Sequence, residues 1–270
     1  MTAAADWSRV ADPARRVGRS VEFHAEIGST NDRARAALRE PGGEGLAVVA
    51  DLQTAGRGRR GRSWVSPAGV NLTVSVGIRP LLDPSHAGLL GIAAALATRD
   101  ACAALAPDAK LAIRWPNDVV TARGAKIAGL LLETAVEDGR LTEAVIGIGI
   151  NVNWRRSEMP AEIAARATSL ADVAGRELDR TALLAFLLDA LDAELAALER
   201  GASPVDRFRS VSMLDGRRVV VELGEELLAG IAAGIADDGA LLLDTDAGRV
   251  ALTIGEVISV RDAVRAEVPA

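Results

Sequence analysis

Residues 53–64 read Gln-Thr-Ala-Gly-Arg-Gly-Arg-Arg-Gly-Arg-Ser-Trp, and no hydrophobic core can hold them. Four arginines and three glycines alternate between Gly56 and Arg62, inside a chain of net charge −6. The segment lies between two apolar runs of strand character, 46–50 and 70–78, so it must be a loop carried by a sheet. Glycine lets a backbone close around a ligand, and the guanidinium fork matches phosphate and carboxylate oxygens. Like charges this dense repel unless an anion lies among them. The loop reads as a clamp for a small anion.

Two other readings of the loop fail on context. Gly56, Gly58 and Gly61 spell G-x-G-x-x-G, but a dinucleotide fingerprint opens a helix at its third glycine. Here Pro67, Gly69 and an alternating Val/Ile run follow. An arginine–glycine arm for nucleic acid is opposed by the acidic net charge and the internal position. Trp64 closes the clamp, either as a core residue or as a stacking platform for a flat base.

At 270 residues, the length suits one large domain or two unequal ones, and 49 % hydrophobic residues suffice for a sizeable core. Residues 86–106 have helical spacing and no internal proline, and helices are also expected near 160–173 and 179–200. Strands are expected at 111–113, 119–121, 126–136 and 141–150, the middle pair joined through Ala122-Arg123-Gly124. Beyond 209 come short β runs separated by Asp-Gly and Ala-Gly turns, the pattern of a small barrel. The fold class is therefore α/β (α+β), with an N-terminal extension over 1–20, an α/β domain over 21–211 and a small β domain over 212–264. A single cysteine, Cys102, excludes an internal disulfide and points to a reducing cytoplasm. No signal peptide and no run of about 18 uncharged apolar residues is present, so no membrane role is expected.

Further polar motifs end predicted strands, where α/β folds place ligand contacts. Arg114-Trp115-Pro116-Asn117-Asp118 is one, and Gly147-Ile148-Gly149-Ile150-Asn151 another. Only Lys110 and Lys126 are lysines among 31 basic residues. A lysine kept in so arginine-rich a chain suggests a site that needs a compact ammonium, with the other one incidental. Neither His24 nor His86 has a neighbour at metal-ligand spacing.

Taken together and in order, Gly28-Ser29-Thr30-Asn31, the arginine–glycine loop, the Arg114–Asp118 motif, Lys126-Ile127-Ala128-Gly129-Leu130 and the Gly147–Asn151 motif resemble the biotin–protein ligases. The resemblance implies a class II synthetase-like catalytic domain with a mixed sheet, followed by an SH3-like β-barrel. It implies activation of biotin as biotinyl-5′-AMP and transfer to a lysine of a biotin carboxyl carrier protein domain. The biotin contacts it implies are Ser29, Thr30, Asn31, Gln53, Gly56, Arg57, Lys126 and Gly129. The adenylate contacts are Arg59, Arg62, Trp64, Arg114, Asn117, Asp118, Lys126 and Asn151, with Lys126, Arg59 and Arg62 as catalytic groups. Magnesium is expected with ATP, and Asp118 lies either beside it or against a basic group. The family often has lysine where Arg114 stands. About 20 residues precede the first β-like segment, too few for a DNA-binding domain, so a monofunctional enzyme without nucleic-acid partner is expected, as a monomer or weak homodimer. A lipoate–protein ligase and a biotin-responsive regulator are the alternatives.

Overall fold

A computed structural model describes residues 6–262. Residues 263 and 264, assigned above to the last domain, lie outside that range. The sequence builds a seven-stranded mixed sheet from β1 (Ser20–Ile27), β2 (Leu46–Gln53), β3 (Leu72–Ile78), β4 (Leu111–Arg114), β5 (Asp118–Thr121), β6 (Lys126–Glu137) and β7 (Arg140–Ile150). Their spatial order is β1-β2-β3-β7-β6-β5-β4. The β1–β2 pair is parallel and joined through helix α1 (Thr30–Ala37); every other pair is antiparallel.

Period-two alternation gives this sheet two unlike faces. Val74, Val76 and Ile78 of β3 and Ile146, Ile148 and Ile150 of β7 join the main core. That core is filled by α2 (Ala87–Leu105) and α5 (Arg180–Glu199), which pack on each other. On α5, Leu184, Leu187, Leu188, Leu191 and Leu195 repeat at helical spacing and are buried; each such side chain contributes about 1.5–3 kcal/mol. Asp179 caps this helix, accepting from the N–H groups of Thr181 at 2.8 Å and Ala182 at 3.2 Å. The segment Pro84–Leu105 is long enough for a membrane span and contains an 18-residue window of mean hydropathy 1.4, but 61 % of that window is buried inside the protein. Trp7, Val10 and Val17 of the N-terminal segment are buried in the same core. The opposite face of the sheet carries α1, with Ala34, Leu38, Val48 and Val145 packed together.

The short helices depart from the sequence reading. Instead of one helix over 160–173 there are two, α3 (Ala161–Ala164) and α4 (Leu170–Ala174), and a further helix α6 (Val205–Val211) follows α5. The break has a cause: Ala167 bridges to Lys126 like a sheet partner, and Lys126 N donates to Arg166 O at 2.8 Å. Strand β7 pairs with β3 over Ala144–Ile150 on one side and with β6 on the other, so it lies inside the sheet.

A five-stranded antiparallel sheet follows, from β8 (Arg218–Leu223), β9 (Glu226–Ile235), β10 (Leu241–Thr245), β11 (Gly248–Leu252) and β12 (Glu256–Arg261), in the order β11-β10-β9-β8-β12. It is the small β domain expected from the turn spacing. It docks on the first domain through Trp115 Nε1, which donates to Gly239 O at 3.1 Å, and through Arg209 on Ile235 O.

Candidate active site

Bare backbone creates the cleft. On the α1 face of the sheet, β7 presents Gly147 and Gly149, β6 presents Gly129, and β3 presents Thr73 and Ser75. A Cβ on Gly149 would lie 2.5 Å from Trp64 Cζ2 and 2.8 Å from its Nε1, and one on Gly147 would collide with the Asn31 side chain. Glycine at these positions leaves a trench of about 460 Å³. Every site residue expected from sequence lines this one cleft except Gly56. Gly56 works behind it: its carbonyl accepts from Trp64 N at 3.0 Å, and a Cβ there would sit 2.6 Å from Trp64 O. These contacts turn the ribbon at Gly56.

The arginine–glycine ribbon folds as a tight hairpin. Arg57 bridges to Ser63, Gly58 N donates to Arg62 O at 2.6 Å, and a 3-10 turn spans Arg59–Gly61 with Arg60 at φ 57°. The expected repulsion is relieved by the protein's own carboxylates. Arg57 forms a forked pair with Asp32 at 2.6 and 2.9 Å; Arg60 lies 3.1 Å from Glu222, and Arg62 pairs with Glu256. Among the described residues, Arg59 alone of the four has no carboxylate within ion-pair distance. Burial pulls its guanidinium below the ordinary arginine value, against the weaker pull of Glu256 and Asp118, though it stays charged. Its Nη1 is buried without a hydrogen-bond partner, and so is Trp64 Nε1. Two unpaired donors in one cleft suit a ligand that brings acceptor oxygens.

At the far end, Asp118 accepts from Lys126 Nζ at 2.6 Å through Oδ1 and from Arg114 Nη2 at 2.7 Å through Oδ2. The Lys126 ammonium also lies 5.7 Å from the Trp64 ring centroid. Lys110, by contrast, is exposed and lies outside the cleft lining.

Comparison with known proteins gives this geometry a family. Residues 26–151 match the model of the biotin/lipoate A/B protein ligase family, and residues 216–259 match the biotin protein ligase C terminal domain. The chain is 38 % identical over 250 residues to the biotin–[acetyl-CoA-carboxylase] ligase of Mycobacterium tuberculosis, covering 90 % of each protein. The chain belongs to the biotin/lipoate A/B protein ligase family. The ligase of Paracoccus denitrificans is 37 % identical, with 86 % of this chain and 98 % of that one covered. Among solved structures, a biotin protein ligase from Aquifex aeolicus in complex with biotin and ATP superposes with a TM-score of 0.74 at 30 % identity. That match covers 91 % of this chain and 100 % of the other.

Of the two readings left open for Asp118 in this ligase-family cleft, the basic-group reading fits the geometry: both of its oxygens are engaged by Lys126 and Arg114. Glu256, the carboxylate nearest the ribbon, is engaged by Arg62. Among the described residues no cluster of three acidic, histidine or cysteine side chains could hold a metal. The donor set thus does not fit a resident magnesium ion, which would enter as part of the ATP substrate.

Burial raises the Asp118 carboxyl, but the opposing pull of Lys126 and then Arg114 is larger, so it is held below the ordinary aspartate value. A lowered folded-state value stabilises the fold above the unfolded value and is lost as pH falls through the folded one. Asp118→Asn should therefore cost about 3 kcal/mol near neutral pH, by leaving two cations adjacent without their counter-charge. In urea unfolding at a series of pH values, the gap from wild type should hold above about pH 4 and shrink below it. A gap that stays constant down to pH 2 would contradict this account.

Sequence reasoning missed Ser75 and Thr73, which line the cleft from β3. Their signal was present, since two polar residues alternate with Leu72, Val74 and Val76 in a strand that is buried throughout. Asn117 and Asn151 are also tied into the surrounding fold. The Asn117 side chain donates to Leu130 O, and Asn151 Nδ2 donates to Thr168 O at 3.2 Å, so both hold strand ends together.

Proposed function

We propose that this chain is an ATP-dependent biotin–protein ligase with the residue roles the cleft suggests. One observation carries this reading: a single trench joins an uncharged polar end to a cationic end. At the first end, Ser29, Thr30 and Gln53 offer donors and acceptors suited to a ureido ring, which is neutral and needs partners on every edge. At the second, Arg59, Lys126 and Arg114 surround the space for a carboxylate and an α-phosphate. Trp64 between them, with Asn117 and Asn151 near, suits an adenine ring. A lipoyl group has no ureido head and would leave the first set unused.

In the first step a biotin carboxylate oxygen bonds to the ATP α-phosphorus, and the bond to the β-phosphate oxygen breaks, releasing pyrophosphate. Lys126 and Arg59 hold the α-phosphate oxygens, where negative charge gathers in the transition state. In the second step a lysine amine of a carrier domain attacks the acyl carbon, the acyl–oxygen bond breaks, AMP leaves and the amine's proton passes to solvent. The ribbon over the trench keeps water from the mixed anhydride between the two steps. A cytoplasmic location belongs to the same proposal, supported by a single, fully buried cysteine, Cys102.

The deciding measurement mixes the protein, MgATP and either biotin or lipoate with a biotin carboxyl carrier domain and weighs the carrier. A biotinyl adduct formed only with biotin is the expected result. A lipoyl adduct, or biotin bound with no adduct and no pyrophosphate, would replace the reading with one of its alternatives.

A further inference from the structure

The hydrogen bonds around Asn31 run in one direction, and a residue behind the cleft wall sets it. Glu133 stands on β6 two residues beyond Leu131 and is not part of the lining. Its Oε2 accepts from Asn31 Nδ2 at 2.7 Å, with Arg35 Nη2 at 3.2 Å and Arg57 Nη2 at 3.7 Å. A carboxylate only accepts, so Asn31 turns its amide nitrogen toward Glu133 and its oxygen away. That oxygen accepts the Ser75 hydroxyl at 2.6 Å, which leaves Ser75 Oγ as an acceptor for Thr30 Oγ1 at 2.7 Å. Thr30 Oγ1 has a single proton and gives it to Ser75, so the hydrogen bond that Gln53 Oε1 accepts is the one from Thr30 N at 2.8 Å. The direction set at Glu133 thus runs through Asn31 and Ser75 and ends at Thr30 Oγ1, while the Gln53 amide is oriented separately by the Thr30 backbone N–H, with its Nε2 donor free of that contact. Asn31 and Ser75 are 5 % and 1 % exposed, so little water competes along the chain.

We propose that Glu133 is a positioning residue that fixes the hydrogen-bond polarity of the uncharged end of the cleft, and so selects a ureido ring over head groups with donors and acceptors exchanged. This rests on the biotin reading above. Nothing in the sequence set Glu133 apart, because its partners are drawn from α1, β3 and the ribbon.

Biotin affinity measured by calorimetry without ATP tests the role directly. In Glu133→Gln the new amide can show either its oxygen or its nitrogen to Asn31, so the chain loses its single direction. Biotin affinity should fall about tenfold, and so should the preference for biotin over 2-iminobiotin, whose ureido carbonyl oxygen is replaced by an imino nitrogen. The KM for ATP should change by less than about twofold, since the cationic end is untouched. Asn31→Asp sets one carboxylate against another and should cost about a hundredfold. In the double variant Asn31→Asp with Glu133→Gln, the new glutamine donates to the new aspartate, whose other oxygen still accepts from Ser75. Affinity should return to within about threefold of wild type, a coupling that a merely structural role would not produce. Losses that simply multiply, or an unchanged biotin to iminobiotin ratio in Glu133→Gln, would overturn the role of Glu133 and leave the ligase reading standing. Wild-type protein that neither binds biotin nor releases pyrophosphate with it would overturn both.

Discussion

Lys126→Met should lower biotin-dependent pyrophosphate release by about a thousandfold, the scale of losing one preorganised donor at a developing negative charge. Lys126→Arg should recover little of that, remaining about a hundredfold below wild type. The reason is the shape of the slot. The ammonium sits 2.6 Å from Asp118 Oδ1, and a Cβ on Gly129 would lie 2.6 Å from Nζ, with the Trp64 ring beside it. A planar guanidinium is wider than this space and cannot reach the same point. Arg114 meets Asp118 with a single nitrogen, at 2.7 Å, a contact that an ammonium can also make. Arg114→Lys should therefore stay within about threefold of the native rate. Thermal unfolding of each variant separates lost chemistry from lost fold. Native rates in Lys126→Arg would remove the ammonium from the proposed mechanism.

Gly149→Ala should raise the KM for ATP about ten- to a hundredfold, the worth of one base stacked on an aromatic ring. The added methyl takes the space of the Trp64 indole, 2.5 Å from its Cζ2, and the ring must leave the trench floor. Biotin affinity should change by less than about twofold, because Ser29, Thr30 and Gln53 lie at the other end. Overpacking would cost about 1–3 kcal/mol of stability, and tryptophan fluorescence should report the displaced ring. Parallel losses of ATP and biotin affinity would mean that the strand itself had shifted.

The elements of this fold were legible where one strong local pattern decided them. The alternation of β3 and the leucine spacing of α5 each specify an element whatever lies across from it. The segment 160–173 was misread because its backbone is committed to Lys126, a partner more than thirty residues earlier. The central place of β7 was hidden for the same kind of reason, since strand order is a long-range property that turn signals do not encode. The cleft was legible as a set of motifs, because glycine and arginine in that density have few other uses. What completes it was not. The carboxylates that neutralise Arg60 and Arg62, Glu222 and Glu256, lie in the small β domain, far along the chain. Ser75 and Glu133 matter through neighbours that only the folded sheet supplies.

Strand β7 is held to two unlike standards along its 11 residues. Ile146, Ile148 and Ile150 must supply hydrocarbon volume to the interior, while Gly147 and Gly149 must supply nothing at all. A substitution that enlarges one side is an error of packing; on the other it is an obstruction. The partition between the molecule's own interior and the space reserved for what it captures is thus one polypeptide thick.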